Sequence, residues 1–435
     1  MKPYCQKLPL VFASFAAFIL CLQHVGAVKG TVEEDLINNL TNHNILVRPV
    51  TFTNETVTVN MGMSLIKILD IDEAANIIRA SVWLRFSWNA KNLAWDPSIY
   101  DVDLVRIPIM KLWRPDIVLY NGVGTEKHWD EGEHKNAVIT RDGTVVYIPF
   151  ATITAQCNLN YRLYPYDEQT CTFKFGSWTH DGFKLDLAFF SDLAAIDTND
   201  YIGDSAWVLM KTNGVKNTKY YPCCKEPYPD ITFSLTVLRK STYLVVVYIY
   251  PVVIVAFVSP FIFLIPHQIP GKVLFGLLVL LIEVIQLMML NSALPGHRVN
   301  TPIVVWVYLY NMAMTTVSLF LTLVTTNLSA SGFCGRPVPN FIRKCLLDNA
   351  IGRLCGVSET SMNYDGFENP LHMTSTTEDG SKNGANTGVE RANTAVTSNV
   401  GDWKRVALTL DRYFFVIMLV MSVVITLGML NQYQI

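Results

Sequence analysis

The chain has 435 residues, 51% of them hydrophobic, and its 34 lysines and arginines almost balance 36 aspartates and glutamates, for a formal charge of −2. That balance argues against a nucleic-acid partner, and a mean hydropathy of +0.28 fits a membrane protein. No GxSxG, HExxH or Walker-type loop is present, so nothing marks an enzyme or asks for a cofactor.

Residues 1–27 carry Lys2 and Lys7, then the apolar run "LPLVFASFAAFILCL", then small residues, which predicts a secretory signal cleaved near Ala27 that takes Cys5 and Cys21 with it. From 28 to 240, short runs alternate apolar and polar residues ("TVTVNMGMSLIKIL", "NAVITRDGTVVYIPF", "ITFSLTVL") between turn signals such as Arg141-Asp142-Gly143, and only about 32–43 reads as helix. The expected fold class is therefore a β + α membrane protein: an extracellular antiparallel β-sandwich followed by a four-helix transmembrane bundle. Sequons at Asn39 and Asn54 fall in the exported half, open to glycosylation.

Cys157 and Cys171 enclose thirteen residues; in an oxidising compartment they would close a loop worth about 3 kcal/mol by chain entropy. Cys223 and Cys224 are neighbours in "YYPCCKEPYPD". Adjacent α-carbons lie about 3.8 Å apart, short of the roughly 4.4 Å lower end of ordinary disulfides, so a bond between them would be strained and would stiffen a hairpin tip. The alternative is two free surface thiols, which an extracellular location disfavours.

Past Lys240 come apolar blocks at about 243–265, 271–293, 302–327 and 405–430, the last including a cytoplasmic lead-in, and each approaches the roughly 20 helical residues that cross a bilayer. An exported N-terminus then puts the 265–272 turn and the 328–404 loop in the cytoplasm and the 431–435 tail outside. Arg336, Arg343, Lys344, Arg353, Lys404 and Arg405 cluster on the inner side; only Arg298 opposes. Residues 340–354 read as a short amphipathic piece, and 356–400, rich in Ser, Thr, Asn and Gly, as disordered. Cys334, Cys345 and Cys355 lie where palmitoylation is open to them, beside the alternative of unmodified thiols. Pro251 and Pro260 lack backbone donors and predict kinks in the first span.

The loop ending in "LYPYDEQTC", the "CCKEPYPDIT" hairpin, the "LRKSTYL" entry and four spans after a β-rich half resemble a Cys-loop pentameric ligand-gated ion channel, most similar to a nicotinic acetylcholine receptor subunit of the alpha type. The resemblance implies disulfides Cys157–Cys171 and Cys223–Cys224 and a transmitter site between neighbouring subunits. Its principal face would comprise Tyr120 from "WRPDIVLYNG", Trp178 from "GSWTHDG", and Tyr221, Cys223, Cys224 and Tyr228; its complementary face Trp88, Val138, Val146 and Ile148. A quaternary ammonium donates no hydrogen bond and is drawn to ring faces, so such a cage suits a small cation such as acetylcholine. One chain carries both faces, which implies a homopentamer, with a heteropentamer as the alternative; membrane lipids and permeant ions would be its other partners, in a plasma membrane and at a synapse.

After Tyr120 the run "GVGTEKHWDEGEHK" departs from the family and makes the ligand's identity less definite. His128, Asp130, Glu131, Glu133 and His134 there could bind a divalent ion, but a charged surface loop needs none, so no metal is expected; the same holds for Asp192, Asp197, Asp200 and Asp204.

Aligned with the family's second span, Leu274, Leu278, Leu281, Ile285, Met288 and Ser292 would line the pore at helical spacing, with Gly271, Lys272 and Glu283 in the selectivity region. Gly271 stands where an acid usually selects cations, and "IPGKV" resembles the inner mouth of the anion channels. That register puts Glu283 behind the pore, protonated or hydrogen-bonded to a neighbouring helix, with Gln286 one turn above it; amphipathicity by itself prefers the opposite face, turning Lys272, Gly276, Glu283 and Gln286 to water, with Glu283 as a ring of carboxylates. So apolar a lumen would close by dewetting, which leaves a non-conducting receptor as the rival reading. Gating would pass from the hairpin to the 157–171 loop, Arg239 and the link at 294–302, with Pro165 and Pro295 as contacts.

Overall fold

The computed structural model describes residues 31–124, 135–191, 194–203, 206–222, 224–267, 269, 271–294, 300–332, 337–347 and 386–433, with side chains from 399 onward in the last stretch. The signal segment, the 125–134 insert, Asp192, Asp204, Cys223, Pro295, Arg298, Cys334, Arg336, Arg353 and Cys355 lie outside these residues. The chain forms two compact units, Met1–Leu159 with Thr170–Val237 and Asn160–Gln169 with Leu238–Ile435.

The first unit opens with helix α1 (Val32–Thr41), whose N-cap Thr31 accepts from Glu34 N at 3.2 Å and whose first turn carries Glu33, Glu34 and Asp35, all favourable at a helix N-terminus. Eleven strands follow: β1 (Val57–Asp72), β2 (Ile77–Asn89), β3 (Leu104–Pro108), β4 (Ile117–Leu119), β5 (Asn136–Thr140), β6 (Thr144–Tyr147), β7 (Phe150–Gln156), β8 (Glu168–Ser177), β9 (Leu185–Phe189), β10 (Trp207–Tyr220) and β11 (Pro227–Arg239). They form a seven-stranded sheet in the order β3-β5-β6-β2-β1-β9, with β7 also on β2, and a four-stranded sheet β10-β11-β8-β4.

Alternation drives this arrangement, because every second side chain of a strand meets the facing sheet. Met61, Met63 and Leu65 of β1, Leu84 and Phe86 of β2, Phe173 and Phe175 of β8 and Phe233 of β11 are buried. Phe189 of β9 packs edge-on against Phe233 at 6.3 Å, joining the two sheets. Cys157, just after β7, is bonded to Cys171 of β8 and staples one sheet to the other.

The second unit is helical. Helix α2 (Thr242–Leu264), α3 (Gly271–Ala293) and α4 (Ile303–Ser331) are each long and apolar enough to cross a membrane, as is Asn399–Gln432 within the final helix. In α2 the backbone widens into a π turn at Val245–Ile249 just before Pro251 and tightens to a 3-10 turn at Ser259–Leu264 around Pro260, which are the local adjustments a missing donor and a crowding ring demand. Gly276 of α3 lets that helix close on α4 and α2, since a Cβ there would collide with Leu319 and Ile262.

The final helix, α5, runs Asn386–Tyr433, so residues 386–400, expected to be disordered, are helical. The composition of that stretch cannot sustain a core, but a helix already nucleated by a packed span extends at the gain of one hydrogen bond per residue. Trp403 and Val406 of α5 are buried with Val338, against Leu346 and Leu347 of the short helical turns Asn340–Leu347. Cys345, in those turns, is a free exposed thiol.

Candidate functional site

Four aromatic side chains from three separate stretches meet at one open cavity of about 360 Å³, lined by Tyr120, Trp178, Tyr221 and Tyr228 with Lys174 and Ser177. Tyr120 follows β4; its hydroxyl donates to the Ser177 carbonyl at 2.6 Å, and its ring crosses the backbone of Gly176, where a Cβ would collide with it. Burial, then neighbours including Tyr221 and Asp230, push the Tyr120 phenol up to about 12, so it stays a neutral donor.

Trp178 is 71% exposed, unusual for the largest apolar side chain, and stands edge-on to Tyr120 at 6.3 Å. Asp116 holds the loop that presents it. The carboxylate accepts from Ser177 Oγ, Thr179 N and Thr179 Oγ1 at 2.6 Å each and from His180 Nδ1 at 3.1 Å, while Trp178 N donates to the Asp116 carbonyl at 3.1 Å. Burial opposes ionisation of Asp116, yet the donors from Ser177, Thr179 and His180 together hold it below the usual carboxylate range.

Tyr221 and Tyr228 face each other edge-on at 5.4 Å across the hairpin between β10 and β11. Cys224 is disulfide-bonded; Cys223 falls outside the described residues. The one ammonium lining the cavity is tied up, since Lys174 Nζ lies 3.0 Å from buried Asp230, 5.9 Å from the centre of the Tyr120 ring. The cavity is thus a set of ring faces around a space that no carboxylate among the described residues lines.

The residues expected on the complementary face divide. Val146 of β6 pairs with Val138 of β5 and with Ser87 of β2, and all three are partly exposed on the outer face of the seven-stranded sheet; Ile148 is exposed just beyond. Trp88 is not on that face. It is 2% exposed, packed edge-on against Trp113 at 6.0 Å inside the sandwich. The correction follows from period-2 geometry: Trp88 is one residue on from Ser87 and points the other way. The same "VWLRFSW" run holds Trp83, 39% exposed and in phase with Ser87, which the sequence reading passed over. Counting alternation back from Ser87 identifies it.

Asn39 on α1 and Asn54 in the loop before β1 are both exposed, and no cluster of metal-binding side chains occurs among the described residues.

In the second unit, Leu274, Leu278, Leu281, Ile285, Met288 and Ser292 form an exposed stripe along α3. Lys272 and Glu283 are each 1% exposed and lie on the opposite side, inside the bundle. The alternative ring of carboxylates at Glu283 is therefore corrected, whereas a Glu283 behind the stripe is what the pore-lining register implies: both charges would be costly facing lipid or an apolar lumen, and both find hydrogen bonds in the bundle. Lys272 Nζ reaches Asp411 Oδ2 at 2.6 Å, and Thr315 Oγ1 donates to Glu283 Oε1 at 2.8 Å. Gly271 begins the helix, partly exposed.

The loop Asn160–Gln169 belongs to this unit. Asp167 binds Arg239 through both carboxylate oxygens, at 2.7 and 3.0 Å, and Ile303 N at the start of α4 donates to the Arg162 carbonyl at 3.0 Å.

The family described as neurotransmitter-gated ion-channel ligand binding domain matches residues 33–241. Neuronal acetylcholine receptor subunit alpha-9 of Gallus gallus is 35% identical over 330 residues, covering 75% of this chain and 67% of that one. Subunit alpha-10 of Rattus norvegicus is 31% identical over 435 residues, 95% of each. Subunit alpha-6 of Pan troglodytes is 31% identical over 324 residues, covering 74% and 65%.

Proposed function

The chain belongs to the neurotransmitter-gated ion-channel family, as a nicotinic acetylcholine receptor-like subunit with four membrane spans, and from that premise we propose that it opens a pore when an ammonium-bearing ligand enters the aromatic cavity. The observation that carries the proposal is the convergence of Tyr120, Trp178, Tyr221 and Tyr228 on a space lined by no carboxylate among the described residues. A cation that cannot donate hydrogen bonds gains about 0.5 to 2 kcal/mol from each desolvated ring face, so several rings together give useful affinity.

The cavity is open on one side, and a second copy would complete it with the face bearing Val138, Val146, Ile148 and Trp83. This supports a homopentamer with five equivalent sites. Signal transfer would use continuous strand: β11 carries Tyr228 near its start and Arg239 at its end, where Asp167 of the 160–169 loop holds it. Both termini would be extracellular, Asn39 and Asn54 glycosylated, and the Cys223–Cys224 bond would stiffen the hairpin that closes over the ligand.

Binding of a radiolabelled quaternary ammonium to the assembled protein tests the cage. Trp178→Ala should weaken it at least tenfold, and an unchanged affinity would refute the cage. One observation favours a second reading, a receptor that binds without conducting: the exposed stripe of α3 has no polar side chain from Leu274 to Met288. Voltage clamp of the chain expressed alone in oocytes separates the two, since ligand-evoked current supports the channel and binding without current supports the silent receptor.

A further inference from the structure

Among the described residues, α3 and α5 bury Lys272, Glu283 and Asp411, and two of these answer each other. Lys272 pairs with Asp411 at 2.6 Å, and the other oxygen of Asp411 accepts from Thr325 at 2.9 Å. Glu283 lies eleven residues further along α3, about 16 Å away at helical rise. Its Oε1 has the donor Thr315, but its Oε2 is buried without a partner among the described residues, and so is Oε1 of Gln286.

No cation is at hand for Glu283. Helices α2 and α4 contain no Asp, Glu, Lys, Arg or His, and α5 contains none beyond Arg412 in its membrane part; within α3 the sole cation is Lys272, already paired. The buried tyrosine of α4 is spent as well, since Tyr308 Oη donates to the Tyr248 carbonyl. A second copy would bring the same spans and again no cation. An ionised carboxylate stripped of water and counter-ion is so costly that such a group takes up a proton instead.

The two orphan oxygens offer that proton a place. Residues three apart are neighbours on a helix surface, and both atoms are acceptors in want of a donor. Protonating Glu283 Oε2 turns one acceptor into a donor and satisfies both. The rival arrangement turns the Gln286 amide so that its NH2 donates to a carboxylate, which leaves a net charge in the bundle.

We propose that Glu283 is a proton-binding site of α3, and that a proton shared with Gln286, in place of a counter-ion, seats this turn of the helix in the bundle. The site needs no transmitter, so its test is independent of the aromatic cavity. Infrared difference spectra of the full-length receptor in lipid nanodiscs, wild type minus Glu283→Gln at neutral pH, should contain the carbonyl stretch of a protonated carboxylic acid, shifted in D2O. A carboxylate stretch in its place overturns the proposal. Thermal unfolding supplies the second readout. The folded chain would keep a proton that the unfolded chain releases, so wild-type stability falls as pH rises, and this dependence is lost in Glu283→Gln, whose midpoint at neutral pH equals that of the wild type. A Glu283→Gln protein that fails to fold, or melts well below the wild type, would mean that the bundle needs the ionised group, and overturns the proposal equally.

Discussion

Two tryptophans five residues apart on β2 should respond to truncation in opposite ways. Trp88 is 2% exposed and Trp83 is 39% exposed. An indole hides roughly 200 Å², worth about 5 kcal/mol at about 25 cal/mol per Å² as an upper bound, and buried Trp→Ala changes cost about 3–5 kcal/mol. For a domain of this size each kcal/mol moves the midpoint by about 2–4 °C. Trp88→Ala should therefore lower the thermal midpoint of the extracellular unit by roughly 10 °C or more, and surface expression with it. Trp83→Ala removes less buried area, because 39% of the residue is already exposed, and should lower the midpoint by clearly less than Trp88→Ala does. If Trp83 completes the cage from a neighbouring copy, losing one ring face of about 0.5 to 2 kcal/mol weakens binding of a quaternary ammonium by about 2- to 30-fold. Differential scanning fluorimetry and radioligand binding on the same purified protein measure both. A stable Trp88→Ala with weakened binding, beside a destabilised Trp83→Ala, would refute the assignment of the two faces.

Asp116→Asn keeps the shape of the side chain but turns one of its two acceptor oxygens into a donor, and should loosen the Trp178 loop and weaken ligand binding about tenfold in the same assay. Because hydrogen bonds in the folded state hold Asp116 below the usual carboxylate range, its stabilising effect is present above the unfolded value of about 4 and is lost as pH falls through the lower folded value; an acid-unfolding series should show that loss in the wild type and not in the variant. In the bundle, Lys272→Met alone strands Asp411 and should cost about 3–5 kcal/mol, whereas Lys272→Met combined with Asp411→Leu should recover most of it, read from thermal midpoints of the detergent-solubilised protein.

Local rules made much of this molecule legible. Strand alternation outlined the sandwich, apolar length marked the spans, and Pro251 and Pro260 marked the irregular turns of α2. The four aromatics that meet at the cavity were also legible, because each sits in a short run read as letters. What failed was phase and partnership. Trp88 and Trp83 share one run read as letters, and only the facing of β2 separates them. Asp116, although it stands in "WRPD", carries no local signal, since its worth lies in a loop 61 residues on. Amphipathicity would have turned Lys272 to water for the same reason: its partner Asp411 is 139 residues away, beyond any periodicity.

The burial of Lys272 and Glu283 bears on what a pore built from this chain can select. With Lys272 neutralised by Asp411 and Glu283 carrying a proton, α3 offers no charge along its exposed stripe, and Leu274 through Met288 offer no hydroxyl either. An ion moving along that face would have to keep its own hydration shell, so the open state must be wide enough for a hydrated ion, and the closed state needs only to narrow until the leucines expel water. Such a gate discriminates weakly by sign within the span. Selectivity must then come from the ends, where Gly271 offers only backbone and Ser292 a single hydroxyl per copy, and ion substitution under voltage clamp should find a permeability ratio much closer to one than a ring of carboxylates at Glu283 would impose.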